Sequence, residues 1–247
     1  MTLIKKLSPI ALATSLAIGA SAIAPAAFAV EGLSANVGVT NNYIWRGLTQ
    51  SINATAVQGG IDYEDASGLY VGTWVSNVEY APGDAFSYEN DIYFGYSGGF
   101  DNGIGYDIGY LYYNYDSAAN FDFGEIYSSL SYGGFSLIVN TLANTEADEG
   151  PGQDFDFGGT TYYSLNYSFP VAEELELTVH AGFHDGDFNE AFNAVTESYT
   201  DYSVSLAKGP FAFTVSDTDL SDAAAGDDQL DNGAVKFLVS YTLDIDL

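Results

Sequence analysis

From Phe237 to the last residue, the stretch KFLVSYTLDIDL places an apolar or aromatic side chain at every second position: Phe237, Val239, Tyr241, Leu243, Ile245 and Leu247. The residues between are polar apart from Leu238. A period of two is the signature of a strand with one wet and one dry face. It also runs to the end of the chain, where most chains fray. The same alternation recurs throughout. LSANVGVTNNYIWRG puts Leu33, Ala35, Val37, Val39, Tyr43 and Trp45 opposite Ser34, Asn36, Thr40, Asn42 and Arg46. IGYDIGYLYYNY sets Ile104, Tyr106, Ile108, Tyr110 and Tyr112 against Gly105, Asp107 and Gly109. LELTVHAGFH sets Leu175, Leu177, Val179, Ala181 and Phe183 against Glu176, Thr178, His180 and His184. No segment carries a sustained helical period.

Such segments number about twelve, each roughly 9–14 residues long. They are expected near 33–46, 54–63, 69–80, 88–96, 104–115, 122–132, 135–142, 161–169, 174–183, 199–208, 211–217 and 234–247. In the third, LYVGTWVSNVEY, apolar residues occupy both phases. The connections alternate as well. Tight turns with Gly or Pro (EDASG, SGGFDNG, Gly133-Gly134, PVA, KGP) follow the even strands, and longer acidic loops follow the odd ones. Short turns at one end and long loops at the other describe a transmembrane up-and-down antiparallel β-barrel, with both termini at the short-turn end. The pattern also leaves room for ten or fourteen strands.

Composition decides which face meets lipid. The chain is 47% hydrophobic, with 20 Tyr and 16 Phe, yet carries only 5 Lys and Arg against 34 Asp and Glu. Residues 1–29 hold Lys5 and Lys6, an apolar run and Ala27-Phe28-Ala29, the pattern of a cleaved signal peptide rather than an anchor. The barrel is expected over 30–247, where only Arg46, Lys208 and Lys236 are basic. Such a balance excludes nucleic acid as a partner and favours cations. Cysteine is absent, so no disulfide staples the fold. Strand acids fall on the polar face, and aromatics gather near strand ends on the apolar face. Both match a barrel whose apolar face touches outer-membrane lipid. A soluble barrel would turn the apolar face inward instead.

Two resemblances follow from these residues. The terminal strand, with Tyr241, Leu243, Ile245 and Leu247, is similar to the C-terminal signal by which bacterial outer-membrane barrels engage their assembly machinery. That signal usually ends in Phe or Trp, where this chain has Leu247. The N-terminal third, with ANVGVTNNYIWRGLTQS, AVQGGIDYEDASGLYVGTWVSN and YENDIYFGYSG, resembles the TorF porin family. The matching positions are Tyr43 to Gly47, Gln58 to Tyr63, Gly68 to Asn77 and Glu89 to Tyr96. This resemblance implies an outer-membrane barrel and says little about the solute.

The function expected from the residues is passive diffusion of small hydrophilic solutes or ions, with cation preference. Asp62, Glu89, Asp91, Asp107, Glu125, Glu176 and Asp201 should face the lumen, where acids favour cations. A blocked polar lumen is the competing reading. Arg46 is either a constriction residue or a salt-bridge hub among these acids. The acidic loops (Glu146, Asp148, Glu149, Asp154 and Asp156; then Asp217, Asp219, Asp222, Asp227, Asp228 and Asp231) are solvated or hold Ca²⁺ or Mg²⁺ loosely. A non-conducting barrel whose loops bind divalent cations, surface lipid or a partner is therefore the alternative function. DGDFNE at Asp185 fails as a calcium loop, because Glu190 and Thr196 stand where Gly and Glu are required. His180 and His184 lie four strand residues apart, too far to share one zinc. Gly95-Tyr96-Ser97-Gly98-Gly99 fits G-x-S-x-G without the helix that a nucleophile elbow needs. No enzyme and no cofactor are expected, and the sequence fixes no oligomeric state.

Overall fold

Alternating residues become alternating surfaces because successive side chains of a strand point to opposite faces. The computed structural model describes residues 30–116, 120–221 and 230–247; the signal peptide expected over 1–29 and Asp222, Asp227 and Asp228 lie outside them. In chain order the elements are β1 (Leu33–Thr40), β2 (Ile44–Trp45), β3 (Leu48–Thr49), β4 (Ala56–Glu64), β5 (Leu69–Asn77), β6 (Tyr88–Gly99) and β7 (Gly105–Tyr115). They continue with β8 (Phe123–Tyr132), β9 (Phe135–Thr145), β10 (Thr160–Ala172), β11 (Leu175–Gly186), α1 (Asp187–Asn193), β12 (Ser198–Lys208), β13 (Phe211–Thr218) and β14 (Lys236–Asp246). All but β2, β3 and α1 join one closed antiparallel barrel of twelve strands.

Closure is made by the ends of the chain. β14 pairs with β1 from Ser34↔Asp246 to Thr40↔Ser240. Leu247 N–H donates to Leu33 O at 3.1 Å, and Leu247 O accepts from Val30 N–H at 2.5 Å. The order of the last residues therefore has a cause: they are one half of the seam. Tyr241, Leu243 and Ile245 of the C-terminal pattern sit opposite Val39, Val37 and Ala35.

The barrel is apolar outside and polar inside. Val57, Ile61, Val71, Ile92, Phe94, Ile108, Leu130, Leu137, Leu165, Val204, Phe213 and Phe237 are all exposed. Asp62, Glu89, Asp91, Asp107, Glu125 and Asp201 are all buried. This inverts the rule for a chain folded in water. The unclear third segment resolves as β5, where Leu69, Val71 and Val75 face out while Tyr70 and Trp74 face in. Tight turns at 65–68, 100–104, 133–134, 173–174 and 209–210 close one end. In the first, the hydroxyl and backbone N–H of Ser67 donate to Asp65 and hold that carboxyl below its usual range.

One expectation is corrected. The first strand does not reach Arg46 but ends at Thr40. Residues 41–55 leave the wall and fold into the lumen as the β2–β3 hairpin. Tyr43 and Trp45, expected on the outward face, are buried inside. The local reason is Arg46-Gly47, both at positive φ (50° and 83°). Two consecutive left-handed residues make the tight turn that reverses two strands, and they cannot continue an extended one.

Glycines shape the inner wall. Tyr93 of β6 crosses Gly72 of β5 to reach Asp62 of β4, and these three are consecutive partners in register. Tyr70 and Tyr127 meet hydroxyl to hydroxyl over Gly95 and Gly109, which lie between them in register. A Cβ on Gly95 would overlap the Tyr70 hydroxyl and stand 2.6 Å from Ile108 O. Gly95→Val should lower stability by about 1–3 kcal/mol, as overpacking does. Ile108→Val on the outer face should change it by less than about 1.5 kcal/mol. Urea unfolding of the two variants in detergent micelles measures the difference.

Candidate functional site

The site is the lumen, and it starts from the hairpin. Asn42 anchors the base: its Oδ1 accepts from Thr49 Oγ1 at 2.7 Å and its Nδ2 donates to Asn53 Oδ1 at 2.9 Å. Tyr43 N–H donates to Ser51 Oγ at 3.0 Å, and Gln50 N–H to Tyr43 O at 2.7 Å. From this base the tip crosses to the opposite wall. There Tyr199 of β12 donates its hydroxyl to Arg46 O at 2.8 Å. Gly47 lies against Asp201 of β12 and Thr218 of β13.

Arg46 is the centre of the crossing. One guanidinium nitrogen bonds Glu125 of β8 at 2.5 Å, and the other lies 3.2 Å from His184 Nε2 of β11. Its charge stacks over Trp45 at 4.1 Å and Tyr162 at 4.5 Å. Glu125 also accepts from Tyr113 at 3.2 Å and Asn140 at 3.3 Å. Of the two readings weighed from sequence, this geometry is the salt-bridge hub. The guanidinium ties the hairpin to both β8 and β11, and cation–π contact adds to the pairing.

The acids sort by their partners. Glu89 accepts from Tyr43 at 2.8 Å and Tyr115 at 2.7 Å. Asp62 accepts from Tyr93, and Asp107 from Tyr70 at 2.6 Å. Asp201 pairs with His180 at 2.8 Å and accepts from Tyr162 at 3.1 Å. Glu176 also faces the lumen, half-buried, near the short-turn end. Asp91 stands apart: it is 0% exposed and neither of its oxygens has a hydrogen-bond partner. Tyrosine hydroxyls thus supply the donors that a buried carboxylate needs. Sequence reasoning found the acids and missed these partners. The available signal was tyrosine on the polar phase, as at Tyr93 beside Asp91 and Tyr113 two residues from Tyr115.

Around the hairpin the lumen is filled. Tyr43, Trp45, Trp74, Tyr113, Tyr115 and Phe123 form one buried cluster with Phe155 and Phe188. α1 adds Phe192, whose ring centre lies 5.1 Å from Phe123 and 6.2 Å from Trp45. Toward the short turns the inner wall opens: Asn36, Gln58, Ser97, Ser129, Ser131 and Ser136 are half-buried. Among the described residues, no three His, Asp or Glu side chains are placed to hold a metal ion.

The family model described as "Bacterial protein of unknown function (Gcw_chp)" matches residues 24–242. No curated protein matches the sequence. Among solved structures, the KdgM porin superposes with a TM-score of 0.52 at 8% identity, covering 87% of this chain and 99% of its own. The NanC porin gives a TM-score of 0.50 at 10% identity, covering 87% of this chain and 98% of its own. These likenesses are of fold: a closed twelve-stranded barrel of porin architecture.

Arg46→Ala should destabilise the protein by about 3–5 kcal/mol, the cost of leaving one member of a buried pair uncompensated. The double variant Arg46→Met, Glu125→Leu should recover most of that loss, because it removes both charges. Equilibrium unfolding of the three proteins provides the comparison.

Proposed function

The chain belongs to the Gcw_chp family of bacterial proteins of unknown function, and from its fold and lumen we propose that it is an outer-membrane porin for small cations. The single observation that carries the proposal is the distribution of charge across the barrel wall. Acids at Asp62, Glu89, Asp91, Asp107, Glu125, Glu176 and Asp201 face the lumen, while the outward surface is apolar. On the basic side, Arg46 is bound to Glu125, and Lys236 donates to Leu230 O at 2.7 Å. An acid-lined passage of low dielectric concentrates cations and repels anions. The likeness of the first third of the chain to the TorF porin family agrees with this reading. The signal-peptide pattern of residues 1–29 is in keeping with it: the leader would export the chain to the cell envelope, where the terminal strand would enter the barrel-assembly machinery.

In this reading a solute enters the half-open lumen at the short-turn end and meets the hairpin crossing near the long loops. The hairpin sets the size limit, and the acids set the sign. Single-channel recording of the refolded chain in a planar bilayer, under a KCl gradient, tests it. The expected result is small discrete steps with a cation-selective reversal potential. Asp62→Asn combined with Asp107→Asn should move that potential toward zero.

The fill of aromatic side chains around the hairpin favours a second reading, a barrel that does not conduct. Its acidic loops, at Asp148, Glu149, Asp154 and Asp156, would then meet divalent cations, surface lipid or a partner. A folded, heat-modifiable barrel that never conducts supports this reading and excludes the first.

Both readings need the outer surface in lipid. Leu165→Arg, at an exposed position midway along β10, should cost about 2–4 kcal/mol in liposomes if it lies near the bilayer midplane. Unfolding from liposomes in guanidinium measures it.

A further inference from the structure

We infer that His180 is a proton switch in the lumen wall: protonated, it neutralises Asp201 beside the hairpin tip, and deprotonated, it adds the charge of Asp201 to the lumen. The surroundings of the ring point to this. Nε2 of His180 lies 2.8 Å from Asp201 Oδ1 on β12, and Nδ1 lies 2.8 Å from Asn166 Oδ1 on β10. Both partners are acceptors. The Asn166 amide is turned this way as its Nδ2 donates to Ser164 Oγ at 2.9 Å. A neutral imidazole has one N–H and serves only one of two acceptors, whereas an imidazolium serves both. The arrangement therefore fits the protonated ring. His184, four residues along β11, has the opposite setting. Its Nε2 faces the Arg46 guanidinium at 3.2 Å and can only accept.

The position of the pair gives the switch its effect. Asp201 also accepts from Tyr162 at 3.1 Å, and a Cβ on Gly47 of the hairpin tip would stand 2.6 Å from the Asp201 Cβ. The titratable and charged groups around the pair are Tyr162 of β10, His184 of β11, Tyr199 of β12 and Arg46 of the hairpin. Tyr162 and Tyr199 are hydroxyl donors, to Asp201 and to Arg46 O, and so are neutral. Arg46 is committed to Glu125 at 2.5 Å. His180 is thus the group that decides whether Asp201 is paired. Its side chain is 12% exposed, open enough to exchange a proton with the lumen. Histidine changes charge between about pH 5 and pH 8. The lumen therefore gains one negative charge as pH rises through that range and loses it as pH falls. Since lumen acids favour cations, cation preference should weaken in acid.

The switch rests on the acidic lumen of the proposed porin, but the protonation of the ring is read without conduction. The chain has two histidines, so ¹⁵N-histidine labelling of the refolded chain in detergent micelles gives two imidazole spectra. One ring should carry two protons at about pH 5 and one at about pH 8. The other should carry one throughout. His180→Gln should remove the titrating spectrum. Two rings singly protonated over the whole range overturn the inference, because Asn166 then presents its Nδ2 to a neutral ring. A titrating ring that survives His180→Gln overturns it too. Where His180→Gln does not fold, Asp201→Asn replaces it: loss of the carboxylate should move the titration to lower pH, and an unmoved titration removes the pair. In planar bilayers the cation-to-chloride permeability ratio should rise severalfold between these pH values, and most of that rise should be lost in His180→Gln. A rise that persists in the variant overturns the effect on passage. A folded chain that never conducts contradicts the porin reading, and the spectra alone then decide the switch.

Discussion

A strand in contact with hydrocarbon has no water to satisfy an unpaired backbone amide, and every other feature here depends on that constraint. Twelve strands can meet it only by closing on themselves. The seam between β1 and β14 is therefore the interaction without which the barrel cannot exist. It uses the chain to its end, with Leu247 bonded through both its backbone N–H and its backbone oxygen. Closure then separates two environments. One phase of each strand meets the apolar exterior, and the other must line whatever the barrel encloses. The inversion of apolar and polar surfaces is the consequence of closing a two-faced sheet with its apolar face outward.

An enclosed polar face creates its own problem, since carboxylates inside a barrel are partly desolvated. The chain answers with tyrosine. A tyrosine ring can span an adjacent strand where that strand has glycine, and its hydroxyl then donates to an acid on the strand beyond. The row Asp62, Gly72, Tyr93 is one instance. Tyr162, passing Gly182 to reach Asp201 at 3.1 Å, is another. The single arginine performs a different task. By bonding Glu125 and His184 it ties the hairpin tip to two walls at once, with the aromatic cluster packed behind it. Hairpin docking and lumen fill are thus properties of one network rather than of separate devices.

Most of the wall was legible because both of its signals are local. Alternation of two located the strands, and β6, β7, β12 and β14 lie within a few residues of their expected limits. Glycine and proline marked the short turns. The same reasoning failed at Tyr43, Ile44 and Trp45, whose alternation is that of a real strand, but one belonging to the hairpin. Nothing in a period of two says whether a strand joins the wall or folds inside it. The clue lay in the turn at Arg46-Gly47, which only positive φ makes possible. The lumen acids were legible one by one from their phase. Their tyrosine partners were not, because those contacts cross strands distant in sequence, as between Tyr70 and Asp107 or Tyr43 and Glu89.

The central claim is that the apolar phase of each strand faces lipid and the polar phase faces a filled lumen. The chain has no cysteine, so single cysteines can carry spin labels without interference. Labels at positions 71, 73, 74, 75 and 76 of β5, in refolded protein in liposomes, should show collisions with dissolved oxygen that alternate along the strand. Positions 71, 73 and 75 should be high, and 74 and 76 low. The opposite phase, with 71, 73 and 75 shielded, would mean that the apolar face is turned inward, and the account of the lumen would fall with it.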